Sequence, residues 1–116
     1  MGYESRVYLV EVHRRPRSTY AERIAEVRMC KMNDENWLNL FTKPIDYKLY
    51  MDDGDTEFDT DFYGDHLTAC PIADAIAYLE EKMKVDSYRR LRLLYGLLTG
   101  IEPEKWGTLE LVHFGY

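Results

Sequence analysis

Seven carboxylates fall within the fourteen residues of the run Asp52-Asp53-Gly54-Asp55-Thr56-Glu57-Phe58-Asp59-Thr60-Asp61-Phe62-Tyr63-Gly64-Asp65, and no basic residue interrupts them. A segment of this kind repels itself, resists folding into an apolar core and attracts cations or basic surfaces. Divalent metal binding is one chemistry open to it, because calcium and magnesium take oxygen ligands. The EF-hand spacing does not fit. Counted from Asp59, Asp61 and Gly64 take the third and sixth positions, but Tyr63 falls on the fifth and Cys70 on the twelfth. Counted from Asp53 or Asp55, no glycine stands where the loop must turn. An irregular site built from Asp59, Asp61, Asp65 and His66 is what remains of the metal option, and a cation-dependent hydrolase or nuclease is the enzyme it would serve.

The same run also has the makings of a binding surface. Closely spaced carboxylates imitate a phosphate backbone and engage the Arg and Lys side chains that normally hold nucleic acid. Here Asp52, Asp53, Asp55, Glu57, Asp59 and Asp61 would supply charge, while Phe58, Phe62 and Tyr63 would supply buried area. The aromatic residues matter because exposed ion pairs contribute little by themselves. The plainer alternative is a loop that solvates its charges or folds back onto the chain's own Arg14-Arg15-Pro16-Arg17 turn.

Other constellations carry less. Asp65 and His66 are adjacent, so their side chains diverge and the acid does not orient the imidazole for general base work. His13 and His113 would become neighbours if the terminal strands paired, and with Cys30 they would offer zinc ligands, although no sequence spacing supports such a site. There is no glycine-rich phosphate loop, no GxSxG and no HExxH. No catalytic residue and no cofactor is assigned, and an enzyme is the lesser expectation. Arg89, Arg90 and Arg92 form a second basic cluster, with Arg89 and Arg92 on one helical face beside a core stripe.

The elements that must position these residues follow from periodicity. Ser5 to His13 alternates as a strand, with Tyr8, Val10 and Val12 on one face and Val7, Leu9, Glu11 and His13 on the other. Both faces start apolar, which predicts a central strand. Pro16 fixes a turn. Tyr20 to Met32 satisfies a helical spacing through Tyr20, Ile24 and Val27 and a strand alternation through Ala25, Val27 and Met29; its place after a tight turn favours a hairpin strand. One helical turn is expected around Trp37, Leu38 and Phe41, ended by Pro44, then a third strand over Asp46 to Met51. Pro71 opens a helix with the stripe Ile72, Ile76, Leu79 and Met83. Asp86-Ser87 caps a second helix with Tyr88, Leu91, Leu94, Tyr95 and Leu98 facing inward, and Gly100 terminates it. Thr108 to Phe114 closes the chain as a strand beside the first or the third. The order β-β-β-α-α-β predicts an α+β domain: a mostly antiparallel four-stranded sheet packed on one face by a two-helix hairpin.

Composition bounds the function. The 116 residues make one domain, residues 1–116, with the acidic loop at about 52–66. A net charge of −6 argues against direct nucleic-acid binding and against anionic membranes. The ten tyrosines suit half-buried sheet faces and interfaces alike. Two cysteines without CxxC spacing make no disulfide framework, and the N-terminal stretch lacks the apolar region of a signal peptide, so a cytoplasmic protein is expected.

The opening Gly2-Tyr3-Glu4-Ser5-Arg6-Val7-Tyr8-Leu9-Val10-Glu11-Val12-His13, the central Tyr63-Gly64-Asp65 and the ending Val112-His113-Phe114-Gly115-Tyr116 resemble small uncharacterised proteins of phages and prophages. Small acidic phage proteins are often inhibitors that bind a host nucleic-acid enzyme. The resemblance therefore implies an anti-defence or inhibitory role in the host cytoplasm, with the basic surface of a host protein or nucleoprotein as partner. A self-assembling structural protein, a homo-oligomer, is a further alternative.

Overall fold

The computed structural model describes residues 5–29, 35–50, 54, 56–60, 64–85, 89–102 and 105–115. Its elements run β1 (Ser5–Arg15), β2 (Ser18–Arg28), α1 (Glu35–Leu38), β3 (Lys43–Pro44), β4 (Leu49–Tyr50), β5 (Glu57–Phe58), β6 (Thr68–Pro71), α2 (Ile72–Met83), α3 (Arg89–Gly100) and β7 (Thr108–Gly115). The α+β class and the mostly antiparallel sheet agree with the sequence. The main sheet has five strands in the order β2-β1-β7-β6-β3, and β4 pairs with β5 in a separate two-stranded ribbon. Two differences from expectation stand out. The third strand, expected over Asp46 to Met51, shrinks to Leu49–Tyr50 and leaves the main sheet, while its place there falls to the short β6 and β3.

β1 is central because both of its faces are apolar and need cover. Val7 and Leu9 join a cluster with Trp37, Phe41, Cys70, Ile72, Ala75, Leu79, Leu91, Leu94, Leu98 and Leu111, under the two long helices. Tyr8, Val10 and Val12 join the opposite cluster with Ala21, Ile45, Tyr47, Leu49, Leu67, Ala69, Val112 and Phe114. The alternation from Val7 to Val12 therefore assigns each apolar side chain of β1 to one of two cores, as its sequence pattern requires. β7 runs antiparallel to β1, with Ser5 opposite Gly115 and Val12 opposite Thr108, and lies between β1 and β6.

The ambiguity over Tyr20 to Met32 has a structural cause. β2 is a strand, but Leu9 pairs with Ala25 whereas Val10 pairs with Arg23, so Ile24 is an extra residue and the register shifts there. Ala21 accordingly packs in the second core, while Val27 packs in the first and Ile24 and Ala25 lie against it. A β-bulge reverses the phase of the alternation in mid-strand, which imitates helical spacing when read from sequence.

Pro71 caps α2 instead of entering its first turn, with extended backbone and no side-chain cap bond; Asp74 in the first turn suits the positive end of the helix dipole. Ile72, Ala75 and Leu79 are its buried residues, with Ile76 and Met83 at the margin. Leu91, Leu94 and Leu98 bury the matching stripe of α3, and Gly100 is its last residue rather than a residue beyond it. The expected Asp86-Ser87 cap and Tyr88 lie outside the described residues. None of the described helices is long and apolar enough to cross a membrane.

Glu110 is the one charged side chain buried among the described residues. Tyr47 donates its hydroxyl to Oε1 at 2.7 Å, and the Lys43 ammonium lies 3.0 Å from Oε2. Burial, the bond to Glu110 and its charge all push the Tyr47 phenol well above its ordinary value, so it stays a donor. With the Tyr47 hydroxyl gone, Glu110 Oε1 is left buried without its donor while Lys43 still meets Oε2, so Tyr47→Phe should lower the unfolding free energy by about 1–3 kcal/mol. The check is a urea titration, in which the midpoint should fall with the slope unchanged. Cys70 is a buried free thiol whose value burial pushes up to about 12. In a Cys30→Ser background, a thiol reagent at about pH 8 should therefore modify Cys70 only as fast as the protein unfolds.

Candidate functional acidic ribbon

The acidic segment is carried by the β4–β5 ribbon, which lies over the second face of the main sheet. Leu49 is fully buried there, and Phe58, directly opposite it in register, packs beside it. The Phe58 ring meets Tyr8 at 6.3 Å and Phe114 at 5.9 Å between centroids, both edge to face. Edge-to-face aromatic contacts of this kind add to the burial energy. Phe58, expected as a contact residue, thus anchors the ribbon to its own sheet. The signal that separates these roles is the partner strand: Leu49 and Phe58 face each other across the ribbon, which no sequence window reveals.

Beyond Phe58 the chain is pinned again. The Leu67 amide donates to the Asp59 carbonyl at 2.9 Å, Thr60 and His66 form an isolated antiparallel bridge, and the Ile45 amide donates to the Leu67 carbonyl at 3.1 Å. Gly64 and Gly54 both adopt positive φ, at 85° and 78°, which glycine accepts without strain. Between these pins Gly54, Thr56, Glu57, Gly64, Asp65 and His66 are exposed. Asp52, Asp53, Asp55, Asp61, Phe62 and Tyr63 lie outside the described residues.

The described acids have specific partners. Glu57 accepts a hydrogen bond from the Tyr50 hydroxyl at 3.1 Å, which raises the Tyr50 phenol above its ordinary value. Asp59 sits 3.7 Å from the Lys48 ammonium and lines a cleft of about 330 Å³ with Thr19, Ile45, Asp46, Tyr47 and Lys48. Tyr50 and Lys48, read from sequence only as strand residues, are therefore part of the acidic surface. The Arg14 guanidinium does meet a carboxylate, but it is Asp46, outside the acidic run, at 2.6 and 3.0 Å in a two-pronged pair. The four turn residues Arg14 to Arg17 are exposed, and so are Arg89 and Arg92 on α3, while Arg90 donates to the Arg28 carbonyl at 2.6 Å.

The geometry narrows the metal and acid/base options. His66 places Nε2 2.8 Å from the Ile45 carbonyl oxygen, which only accepts, so Nε2 carries its proton and Nδ1 is left as the acceptor. Among the described residues, Asp59, Asp65 and His66 do not converge within ligand reach. The histidine pair expected from pairing of the terminal strands does not form either. β1 and β7 do pair, but His113 stands opposite Val7, six residues along β1 from His13, or roughly 20 Å at strand rise. His113 packs against Phe41 instead, at 5.1 Å between rings.

Two outcomes follow. Phe58→Ala should cost about 2 kcal/mol, less than the roughly 3–5 kcal/mol lost from a fully buried Phe, measured by urea denaturation. The hydrogen bonds from Arg14 hold the Asp46 carboxyl below its ordinary value. Its contribution is therefore present above the unfolded-state value and is lost as pH falls through the folded one. The pair is exposed, so the effect is small. Asp46→Asn should slightly flatten the decline in melting temperature below about pH 4.

No protein-family model matches this chain, and neither does any curated protein or solved structure.

Proposed function

We propose that this chain is a protein-binding module that engages a basic, nucleic-acid-binding surface of a host protein through its acidic segment, in the manner of a small phage-type inhibitor. The observation that carries this reading is the anchoring of the segment. Leu49 and Phe58 fasten the β4–β5 ribbon to a packed core, and the bonds linking Asp59, Leu67 and Ile45 hold the chain that follows, with Glu57 exposed on the ribbon and Asp65 exposed ahead of Leu67. Charges fixed on a rigid support lose less freedom on binding than those on a free tail. Phe58 packs against the core, so Phe62 and Tyr63 are the contact aromatics of this proposal, together with the half-exposed Tyr50 of β4. The exposed arginines at the β1–β2 turn give the domain a second, opposite pole, which favours oriented docking.

The hydrolase reading of Asp59, Asp61, Asp65 and His66 loses support because, among the described residues, Asp59, Asp65 and His66 do not converge and Asp59 has Lys48 as its partner. The test is capture from host lysate with wild type and with a variant carrying Asp→Asn at 52, 53, 55, 59 and 61, followed by kinetics on the captured protein. Wild type should retain a specific partner, and the variant should associate more slowly, with a flatter dependence on salt. Equal association rates for both proteins at every salt concentration would remove the acidic segment as the interface.

A further inference from the structure

Next to the acidic ribbon, to which it is bridged at Tyr20 and Lys48, the β1–β2 hairpin gathers a second set of chemically capable side chains. Glu11 and His13 are two residues apart on β1 and share a face; Glu22 lies directly opposite Glu11, and Tyr20 directly opposite His13. Two carboxylates facing each other across a ladder repel and destabilise the pair. A cation placed between them would relieve that repulsion. The His13 Nε2 atom stands in that position, 3.0 Å from Glu11 Oε1 and 3.8 Å from Glu22 Oε1. That nitrogen is shielded from solvent yet makes no hydrogen bond.

The three donor atoms all lie within 4.8 Å of one another, close enough to share one ion. We propose that Glu11, His13 and Glu22 bind one divalent first-row transition ion, zinc foremost. Zinc–nitrogen and zinc–oxygen bonds of about 2.0–2.2 Å place neighbouring ligand atoms roughly 3.0–3.5 Å apart. The Glu11–His13 separation matches this. The wider one belongs to Glu22, whose side chain is 65% exposed and has room to turn inward. A mixed imidazole and carboxylate set selects zinc and its first-row neighbours over calcium or magnesium, which prefer all-oxygen cages.

The supporting shell is also in place. The Gly107 amide donates to Glu11 Oε2 at 2.8 Å, leaving Oε1 turned toward His13. The Tyr20 ring stacks on the imidazole at 4.7 Å and 17°, fixing its plane, and Arg15 lies over the other end of that stack, 5.7 Å from the Tyr20 ring centre. Outer partners that orient ligands in this way are a regular part of metal sites. Three protein ligands leave a coordination position open toward solvent, on the side of the exposed Glu22.

The experiment titrates zinc chloride into the chelator-treated full chain by calorimetry, with thermal melts in zinc and in EDTA. Wild type should take up one zinc per chain and melt higher in zinc than in EDTA. His13→Gln and the surface substitution Glu22→Gln should each weaken uptake by about tenfold or more, and the five-site Asp→Asn variant should bind zinc as wild type does. Circular dichroism of the Glu22→Gln protein guards against a folding defect as the cause. No uptake by wild type at millimolar zinc would overturn the site. So would uptake untouched by both hairpin substitutions, or uptake lost instead in the five-site variant.

Discussion

The fold depends on one strand having no face to give to water. β1 offers Val7 and Leu9 to one side and Tyr8, Val10 and Val12 to the other, all nearly fully buried. A sheet with two apolar faces must be covered twice. The α2–α3 hairpin covers the first face, which is the ordinary arrangement of an α+β layer. The second is covered without a helix, by irregular chain from Ile45 to Leu49, by Leu67 and by the ring of Phe58. Irregular backbone over a core has polar groups to satisfy. The bonds between Ile45 and Leu67, Leu67 and Asp59, and His66 and Ile45 are how this chain satisfies several of them. Glu110, reached by Tyr47 and Lys43, ties the same cover to the sheet from the strand side.

The acidic run follows from that arrangement. Between Tyr50 and Glu57, the two ends of the β4–β5 pairing, the described residues Gly54 and Thr56 are exposed, a setting that tolerates charge. Mutual repulsion among carboxylates would be costly within the cover but is screened at its rim. A charged excursion and a packed anchor are two halves of one solution: the anchor holds a shape that the charges alone would not keep.

Much of this was legible in the sequence where the periodicity is long and uninterrupted. The two faces of β1, the stripes of α2 and α3 and the closing strand all emerge from runs of eight residues or more. What escaped was short or set by register. β6 is four residues that lead straight into a helix, and β3, β4 and β5 have two residues each, too few for any alternation to declare itself. The bulge at Ile24 placed two phases in one strand. The site divided in the same way. The acidic composition stands out at once, whereas the role of Phe58 needs its cross-strand neighbour Leu49. Glu11, His13 and Glu22 become a cluster only when the hairpin register sets residue 11 against residue 22.

The edges of the main sheet bear on how anything docks here. β3 is an edge strand of only Lys43 and Pro44, one a charge and the other without an amide hydrogen to offer. β2, the opposite edge, is bridged to Lys48 at Tyr20, bulged at Ile24 and closed at the Arg28 carbonyl by Arg90. A peptide seeking to extend the sheet by strand addition therefore finds little uninterrupted backbone on either side. On the proposed binding role, recognition would fall to side chains, whose identities mutate one at a time, so specificity could drift while the scaffold beneath it stays fixed.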